Sequence, residues 1–132
     1  RVGIELEELE PKDLYGGTKY SDPIQPANET ARLLKQELKC NLVICLSHLG
    51  YKYTEKKVSD VILAESSKNI DLILGGHTHT FFNHPEEFKN SDGDKILVNQ
   101  VGWAGIYLGR LDFIFERGKR KFLIPGAPQL IS

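Results

Sequence analysis

The chain has 132 residues, of which 40% are hydrophobic, and a formal net charge of −1, the composition of an ordinary single-domain globular protein. This near-neutral balance excludes a basic platform for nucleic-acid polymers. The longest apolar runs have the length of strands, far short of the roughly 20 residues that a membrane-spanning helix needs. Because the chain lacks methionine and opens on Arg1, we expect its natural start to lie upstream.

The first third of the chain predicts a strand, a loop and a helix. Residues 2–6 predict a strand, and residues 11–26 are rich in turn formers and predict a long surface loop. Apolar residues then recur at helical spacing, which predicts a helix whose first turn begins at Pro26 or Asn28. The apolar residues of this helix are Ala27, Ala31, Leu34 and Leu38.

Two apolar runs with a helical segment between them predict a β-α-β unit. Residues 41–46 and 71–74 are typical of buried strands, and residues 55–66 predict a helix with Val58 and Ile62 turned inward and Leu63 as a further candidate. The strands of such a unit are parallel, and the crossover between them is right-handed. We therefore expect both strands to end at the same edge of the sheet.

Histidines follow both of these strands. His48 ends the first run, and His77 and His79 follow the second run after two glycines. Imidazole is a common ligand of zinc, iron, copper and nickel, and in extended backbone an i, i+2 pair points both rings to one side. Such a pair can also be two loop histidines that are hydrogen-bonded to nearby backbone. Because two strands end in histidine at one edge of the sheet, a metal site that three imidazoles approach is favoured. His84 precedes Pro85 in a polar stretch, which predicts a loop residue rather than a ligand.

The last third predicts further strands. Residues 81–95 predict an excursion with a turn at Asp92-Gly93, after which residues 96–100 and 107–115 predict antiparallel strands around the turn at 102–105. Residues 116–121 predict a basic, solvated, hairpin-like turn. Three residues at the end of strand 96–100 are predicted pocket neighbours of the histidines: Asn99, Gln100 and Gly102.

Three segments together resemble the calcineurin-like metallophosphoesterases, and most closely their 5′-nucleotidase branch. They are Cys45-Leu-Ser-His48-Leu-Gly50, Ile73-Leu-Gly-Gly-His77-Thr-His79-Thr80 and the segment 98–112. The resemblance spans about residues 40–115 and implies an α/β fold of two mixed β-sheets packed as a sandwich and flanked by helices. It also implies two divalent metal ions, with His48 and His77 as ligands of one ion and His79 as a ligand of the other.

Elements of that family are absent from this sequence. Its Asp-x-His element and its Asn-His-Glu or Asn-His-Asp element do not occur, no Gly-Asp pair precedes the histidines to supply the bridging aspartate, and the four histidines are at positions 48, 77, 79 and 84. We therefore expect residues 1–132 to be the C-terminal portion of a single catalytic domain. Such a portion lacks the N-terminal metal-binding half and the acid and transition-state residues of the family.

The resemblance implies hydrolysis of a phosphoester, of nucleotide type, by hydroxide that two divalent ions about 4 Å apart activate. Zinc, manganese and iron all suit imidazole with carboxylate, and AMP, a cyclic nucleotide and a sugar nucleotide remain open as substrates. Trp103 has two open roles, stacking on a base or covering the core. The alternative to the enzyme is a non-catalytic fragment that binds a metal or another chain.

Two expectations concern the chain in its surroundings. The 5′-nucleotidase branch is commonly exported, which implies the periplasm or the cell surface. A half domain exposes an apolar sheet face and unpaired edge groups, so we expect the chain to associate with itself.

Other hydrolases that use His-x-His fit poorly, since a metallo-β-lactamase needs His-x-His-x-Asp-His whereas His79 is followed by Thr80 and Phe81.

Overall fold

A five-stranded mixed sheet organises the structure, a computed structural model that describes residues 11–115 in full and the strand backbone of residues 2–3, 122–125 and 129–130. Its spatial order is β1-β2-β3-β5-β4, and β4 is antiparallel to β5 while the other pairs are parallel. The five strands are β1 (Val2–Gly3), β2 (Ile44–His48), β3 (Leu72–Leu74), β4 (Glu86–Lys89) and β5 (Lys95–Asn99). The mixed α/β class predicted from the sequence is confirmed.

The predicted β-α-β unit is confirmed. Strands β2 and β3 are parallel neighbours, with Ile44 opposite Leu72 and Leu46 opposite Leu74. The helix between them, α3 (Asp60–Ser66), is shorter than the predicted 55–66. It begins late because Ser59 is extended and its hydroxyl accepts a hydrogen bond from the backbone N–H of Ile62, which makes Ser59 an N-cap.

The segment 11–26 is not the loop that was predicted. It contains a short helix, α1 (Lys12–Tyr15), and the start of α2 (Ile24–Arg32), which continues as a π-helical turn over Leu33–Glu37. Pro26 lies in the first turn of α2, where backbone N–H groups have no partner within the helix and proline is tolerated. Leu38, predicted to face the core, lies beyond the π-turn and is exposed.

The core lies on one face of the sheet, beneath α2 and α3. It contains Ile73 and Val98 from the strands and Leu63 from α3, all fully buried. Alternate residues of a strand face the opposite side of the sheet. On that side of β2, Ile44 is 44% and Leu46 is 57% exposed. The second face of β2 is therefore apolar and open to solvent.

Strand pairing after residue 100 differs from the prediction. Residues 107–115 were predicted to pair with 96–100, but β5 lies between β3 and β4 instead. The C-terminal strands form two separate pairs, β6 with β9 and β7 with β8, and the predicted basic turn at 116–121 lies outside the described residues. These strands are β6 (Tyr107–Leu108), β7 (Leu111–Ile114), β8 (Phe122–Pro125) and β9 (Gln129–Leu130).

The excursion at 81–95 forms a hairpin. Strand β4 pairs with β5 across the predicted Asp92-Gly93 turn, in which the backbone N–H of Gly93 donates to the Asn90 carbonyl at 2.9 Å. Gly93 has a φ of 80°, a conformation that favours glycine. In the part of the chain that the structure describes, no helix has both the length and the apolar character to cross a membrane.

Candidate functional site

Two imidazoles meet at the carboxyl edge of the parallel strands. His48 is the last residue of β2, and His77 lies on the loop 75–80 that follows β3, referred to below as the histidine loop. The ring centroids of His48 and His77 are 5.3 Å apart, with an angle of 60° between the ring planes. The structure thus brings these two predicted site residues together, as the parallel β-α-β unit requires.

The histidine loop does not have the extended backbone that was predicted. His77 has a φ of 73° and His79 a φ of 53°, both in the left-handed region that few non-glycine residues adopt. The backbone N–H of Thr78 donates to the Gly76 carbonyl at 2.9 Å, which closes a γ-turn around His77. The prediction of extended backbone at this pair is wrong, and the two rings have different aromatic neighbours, His48 for His77 and Trp103 for His79.

His79 lies against an aromatic ring. Its imidazole stacks on the indole of Trp103, with centroids 5.7 Å apart and an interplanar angle of 18°. Trp103 is 57% exposed, so it does not cover the core. Within residues 11–115, no three His, Cys, Asp or Glu side chains are placed to hold one metal ion, so the three imidazoles do not approach a single point there. The metal roles of His48, His77 and His79 stay predictions.

A buried acid that the sequence analysis missed lies beneath the two strand ends. Asp60 is completely buried at the start of α3. Its carboxyl oxygens accept hydrogen bonds from the Ser47 hydroxyl and from Nε2 of Gln100, the latter at 3.0 Å. Burial raises the pKa of Asp60, and these hydrogen bonds and the nearby His48 offset part of that rise. In the sequence, Asp60 looks like an ordinary acid in the first turn of a helix.

Gln100, a predicted pocket neighbour, supports the histidine loop from below. Its Oε1 accepts from the backbone N–H of Thr80 at 3.1 Å and from the Thr78 hydroxyl at 3.3 Å. Its Nε2 donates to the Gly76 carbonyl at 3.1 Å as well as to Asp60. With 2% of its surface exposed, Gln100 contacts the loop on both sides of the two histidines.

The other two predicted neighbours also adjoin the loop. The Asn99 carbonyl accepts from the Gly75 backbone N–H at 2.9 Å, and the Gly102 N–H donates to the Thr80 carbonyl at 2.9 Å. The Thr78 hydroxyl accepts from the backbone N–H of Tyr51 at 2.9 Å, which ties the loop to the segment after β2. His84 lies in a loop, as predicted, with Nδ1 3.3 Å from the Pro85 carbonyl.

An aromatic cavity of about 310 Å³ opens beyond the histidine loop. Phe81 and Tyr107 meet edge to face in its wall, with ring centroids 5.4 Å apart, and Asn83 supplies a polar side chain. Phe82 and Val101 complete the lining. This cavity could not be predicted from the sequence, because its walls come from two separate segments of the chain, 81–83 and 101–107.

Comparison with known proteins finds nucleotide phosphoesterases. The chain is 35% identical over 97 residues to the trifunctional nucleotide phosphoesterase protein YfkN of Bacillus subtilis (strain 168), an alignment that covers 74% of this chain and 6% of that protein. It is 28% identical over 141 residues to a 5′-nucleotidase-related protein of Glossina morsitans morsitans, covering 96% of this chain and 24% of that one. No family model matches the chain.

Solved structures agree with these relatives. The crystal structure of a 5′-nucleotidase precursor from Thermus thermophilus superposes with a TM-score of 0.69 at 27% identity, over 84% of this chain and 23% of that one. The NAD nucleotidase of Haemophilus influenzae gives a TM-score of 0.69 at 28% identity, over 86% of this chain and 24% of that one. The chain thus spans a quarter or less of the length of these relatives. By sequence and by fold it belongs to the 5′-nucleotidase family.

Proposed function

We propose that this chain is part of an enzyme that hydrolyses nucleotide phosphoesters at a metal centre, and that His48, His77 and His79 are ligands in that centre. The observation that carries the proposal is the pair of imidazoles from His48 and His77 at the carboxyl ends of adjacent parallel strands. Ligands gather at this edge of open α/β sheets. The family of the chain supplies the reaction class, since its relatives are named as nucleotide phosphoesterases and nucleotidases.

The residues present fit a divalent metal as part of its coordination set. Imidazole nitrogen is a good ligand for zinc and iron, and the rings of His48 and His77 lie close enough to share one ion. Residues 11–115 place no third His, Cys, Asp or Glu beside them to complete a site, so we expect the remaining ligands of these types to come from elsewhere. A bound divalent ion polarises phosphoryl oxygens and activates water.

The residues of this chain contribute mainly by orienting the histidine rings. His48 is held by the pairing of β2, and His77 by the hydrogen-bonded γ-turn of the histidine loop. His79 is held against Trp103, which leaves its imidazole about parallel to the indole. Metal-binding histidines work best when their rings are fixed before the ion arrives, because ordering them on binding costs free energy.

Hydrolysis of AMP by the natural polypeptide that carries this chain tests the proposal. We expect phosphate release in the presence of Mn²⁺, and we expect His77→Ala to abolish it. His84→Ala is the matched control, because it removes the imidazole of a loop residue away from the pair. Full activity of the His77→Ala protein would refute the proposed site.

The second candidate is metal binding without turnover by the chain alone. The absence of a third ligand among residues 11–115 favours it, since two imidazoles bind an ion weakly and leave it incompletely oriented. The same assay on the isolated chain separates the two. Metal uptake that depends on His77 without phosphate release supports binding alone, whereas phosphate release shows that the chain is active by itself.

A further inference from the structure

We propose that Asp60 and Gln100 are positioning residues that clamp the histidine loop and thereby set where the imidazoles of His77 and His79 lie. The pair acts through the backbone of the loop, to which the Gln100 amide is hydrogen-bonded. The consequence for metal binding rests on the proposed function. The statement that Asp60 and Gln100 hold the loop is independent of the proposed function.

The clamp is formed by the Gln100 side chain. Its amide oxygen holds the backbone N–H of Thr80, and its amide nitrogen holds the carbonyl of Gly76. Gly76 and Thr80 are the residues that immediately flank the segment from His77 to His79. A single planar amide thus fixes both ends of the segment, which limits the backbone conformations that the two histidines can adopt.

Asp60 fixes the orientation of that amide. Its carboxylate accepts from Nε2 of Gln100 at 3.0 Å, so the amide nitrogen must face Asp60. The amide oxygen Oε1 is then free to accept from the backbone N–H of Thr80. The same carboxylate accepts from the hydroxyl of Ser47, the neighbour of His48 in β2. The acid therefore connects the strand end that carries His48 with the loop that carries His77.

The network needs an acceptor at both carboxyl oxygens of Asp60. An asparagine there has one acceptor and one donor. If its nitrogen faced Gln100, two donors would meet, and if it faced Ser47, the hydroxyl proton of Ser47 would lose its acceptor. Asp60→Asn is therefore a nearly isosteric change that breaks one of the two connections.

The loop needs such a restraint because its backbone is strained. Left-handed conformations at non-glycine residues cost free energy and persist where surrounding structure imposes them, and both His77 and His79 have positive φ. The acid also packs directly under the entry to the loop, since a Cβ built on Gly75 would overlap the Asp60 carboxylate. When the hydrogen bonds of Gln100 to the loop are removed, we expect the backbone of the loop to move to less strained conformations.

The test compares Gln100→Ala and Asp60→Asn with Ile96→Val, a buried control in the core away from the loop. Hydrogen exchange of the Thr80 amide reports on the clamp without any metal. We expect it to accelerate at least tenfold in Gln100→Ala, while the amides of β3 and β5 keep the protection that global stability gives them. Ile96→Val should change Thr80 exchange only as much as it changes those strand amides.

Binding of Co²⁺ by the natural polypeptide that carries this chain, measured by calorimetry, reports on the imidazoles. Loss of a group that orients metal ligands typically weakens metal affinity about 10–100-fold, and we expect that loss in Gln100→Ala and Asp60→Asn but not in Ile96→Val. Unchanged Thr80 exchange in Gln100→Ala would overturn the clamp. Faster exchange with unchanged Co²⁺ affinity would overturn its role in positioning the imidazoles.

The failure of the proposed function has a different signature. If the natural polypeptide that carries this chain binds no Co²⁺, the metal proposal fails while Thr80 exchange still decides the clamp. The ¹⁵N chemical shifts of the His77 and His79 rings then replace affinity as the second readout. Shifts that change in Gln100→Ala support positioning, and shifts equal to those of the wild type overturn it.

Discussion

His77 and His79 hold backbone conformations that histidine rarely adopts, and buried polar neighbours hold them there. The γ-turn hydrogen bond around His77 is local, whereas the contacts of Gln100 with Gly76 and Thr80 are tertiary, and both restrain this geometry. Strained residues of this kind cluster at functional sites, where the surrounding fold offsets the strain. The loop is therefore sensitive to small changes in the groups beneath it.

Gly75→Ala tests the space under the loop. The new methyl group would overlap the buried carboxylate of Asp60 and lie 2.8 Å from Nε2 of Gln100. Forcing an extra methyl into a packed site costs about 1–3 kcal/mol, and we expect urea unfolding to show a loss of that size. Gly17→Ala, with nothing near its Cβ, is the control and should stay within about 0.5 kcal/mol of the wild type. Equal effects of the two substitutions would contradict this packing.

The phenol of Tyr51 predicts a pH dependence. Burial, together with the hydrogen bond and negative charge of Glu86, raises the pKa of Tyr51 to about 12 from its usual value near 10. The neutral phenol is thus favoured in the folded state, so this contribution to stability is complete below about pH 10 and is lost as the pH rises to about 12.

Urea unfolding across that pH range measures this loss. The wild type should lose more unfolding free energy than Tyr51→Phe, which has no phenol to ionise. Glu86→Gln is the matched variant, because it keeps an acceptor for the hydroxyl and removes the charge, and it should make the loss smaller and complete at a lower pH. Parallel pH curves for the wild type and Tyr51→Phe would show that this phenol does not set the alkaline limit.

The residues of the site could be predicted only in part. His48 and His77 follow apolar strands of one β-α-β unit, so their meeting follows from strand direction alone. The burial of Asp60 could not be predicted, because a lone acid after Ser59 has the same sequence signature whether it faces solvent or the core. Backbone conformation at His77 was predicted wrongly because tertiary hydrogen bonds, rather than residue type, impose its positive φ.

Among the elements, α3 shows how one side chain sets a boundary. Ser59 is 2% exposed, and its hydroxyl accepts from the backbone N–H of Ile62 at 3.3 Å. Removing such a cap costs typically about 1 kcal/mol. We expect Ser59→Ala to lose about that much in urea unfolding, while Ser66→Ala, the same change at the other end of α3, loses less. Equal losses would show that the cap does not set the start of the helix.

Strand β5 illustrates why pairing was harder to predict than strand position. Its residues Ile96, Leu97 and Val98 are all buried, so both of its faces are covered, as is typical of an inner strand of a parallel sheet. A nearby turn instead suggested a hairpin with 107–115. Strand β4, with the sequence Glu-Glu-Phe-Lys, has the charge expected of an edge. These two signals, read together, favour the observed order.

At the scale of the whole molecule, the sheet has one face packed under helices and one that is partly open. Ile44 and Leu46 lie on the open face. Exposed contiguous apolar surface favours association, and self-association of this chain stays a prediction. Light scattering at micromolar concentration should show species larger than a monomer, and the double substitution Ile44→Lys with Leu46→Lys should shift them toward the monomer.

A matched control separates this face from general surface hydrophobicity. Leu14 is 69% exposed on the separate helix α1, so Leu14→Lys adds charge without touching the sheet. It should leave the distribution of species unchanged. A wild-type chain that remains a monodisperse monomer would contradict the prediction outright.

The proposed metal site requires that His48 and His77 together bind a divalent ion, and titration of the natural polypeptide that carries this chain with Co²⁺ tests this. Calorimetry with visible absorption should show that the wild type binds Co²⁺ and that both His48→Ala and His77→Ala weaken binding strongly. His84→Ala should bind as the wild type does. Binding that is unchanged in His77→Ala, or absent from the wild type, would refute this metal site.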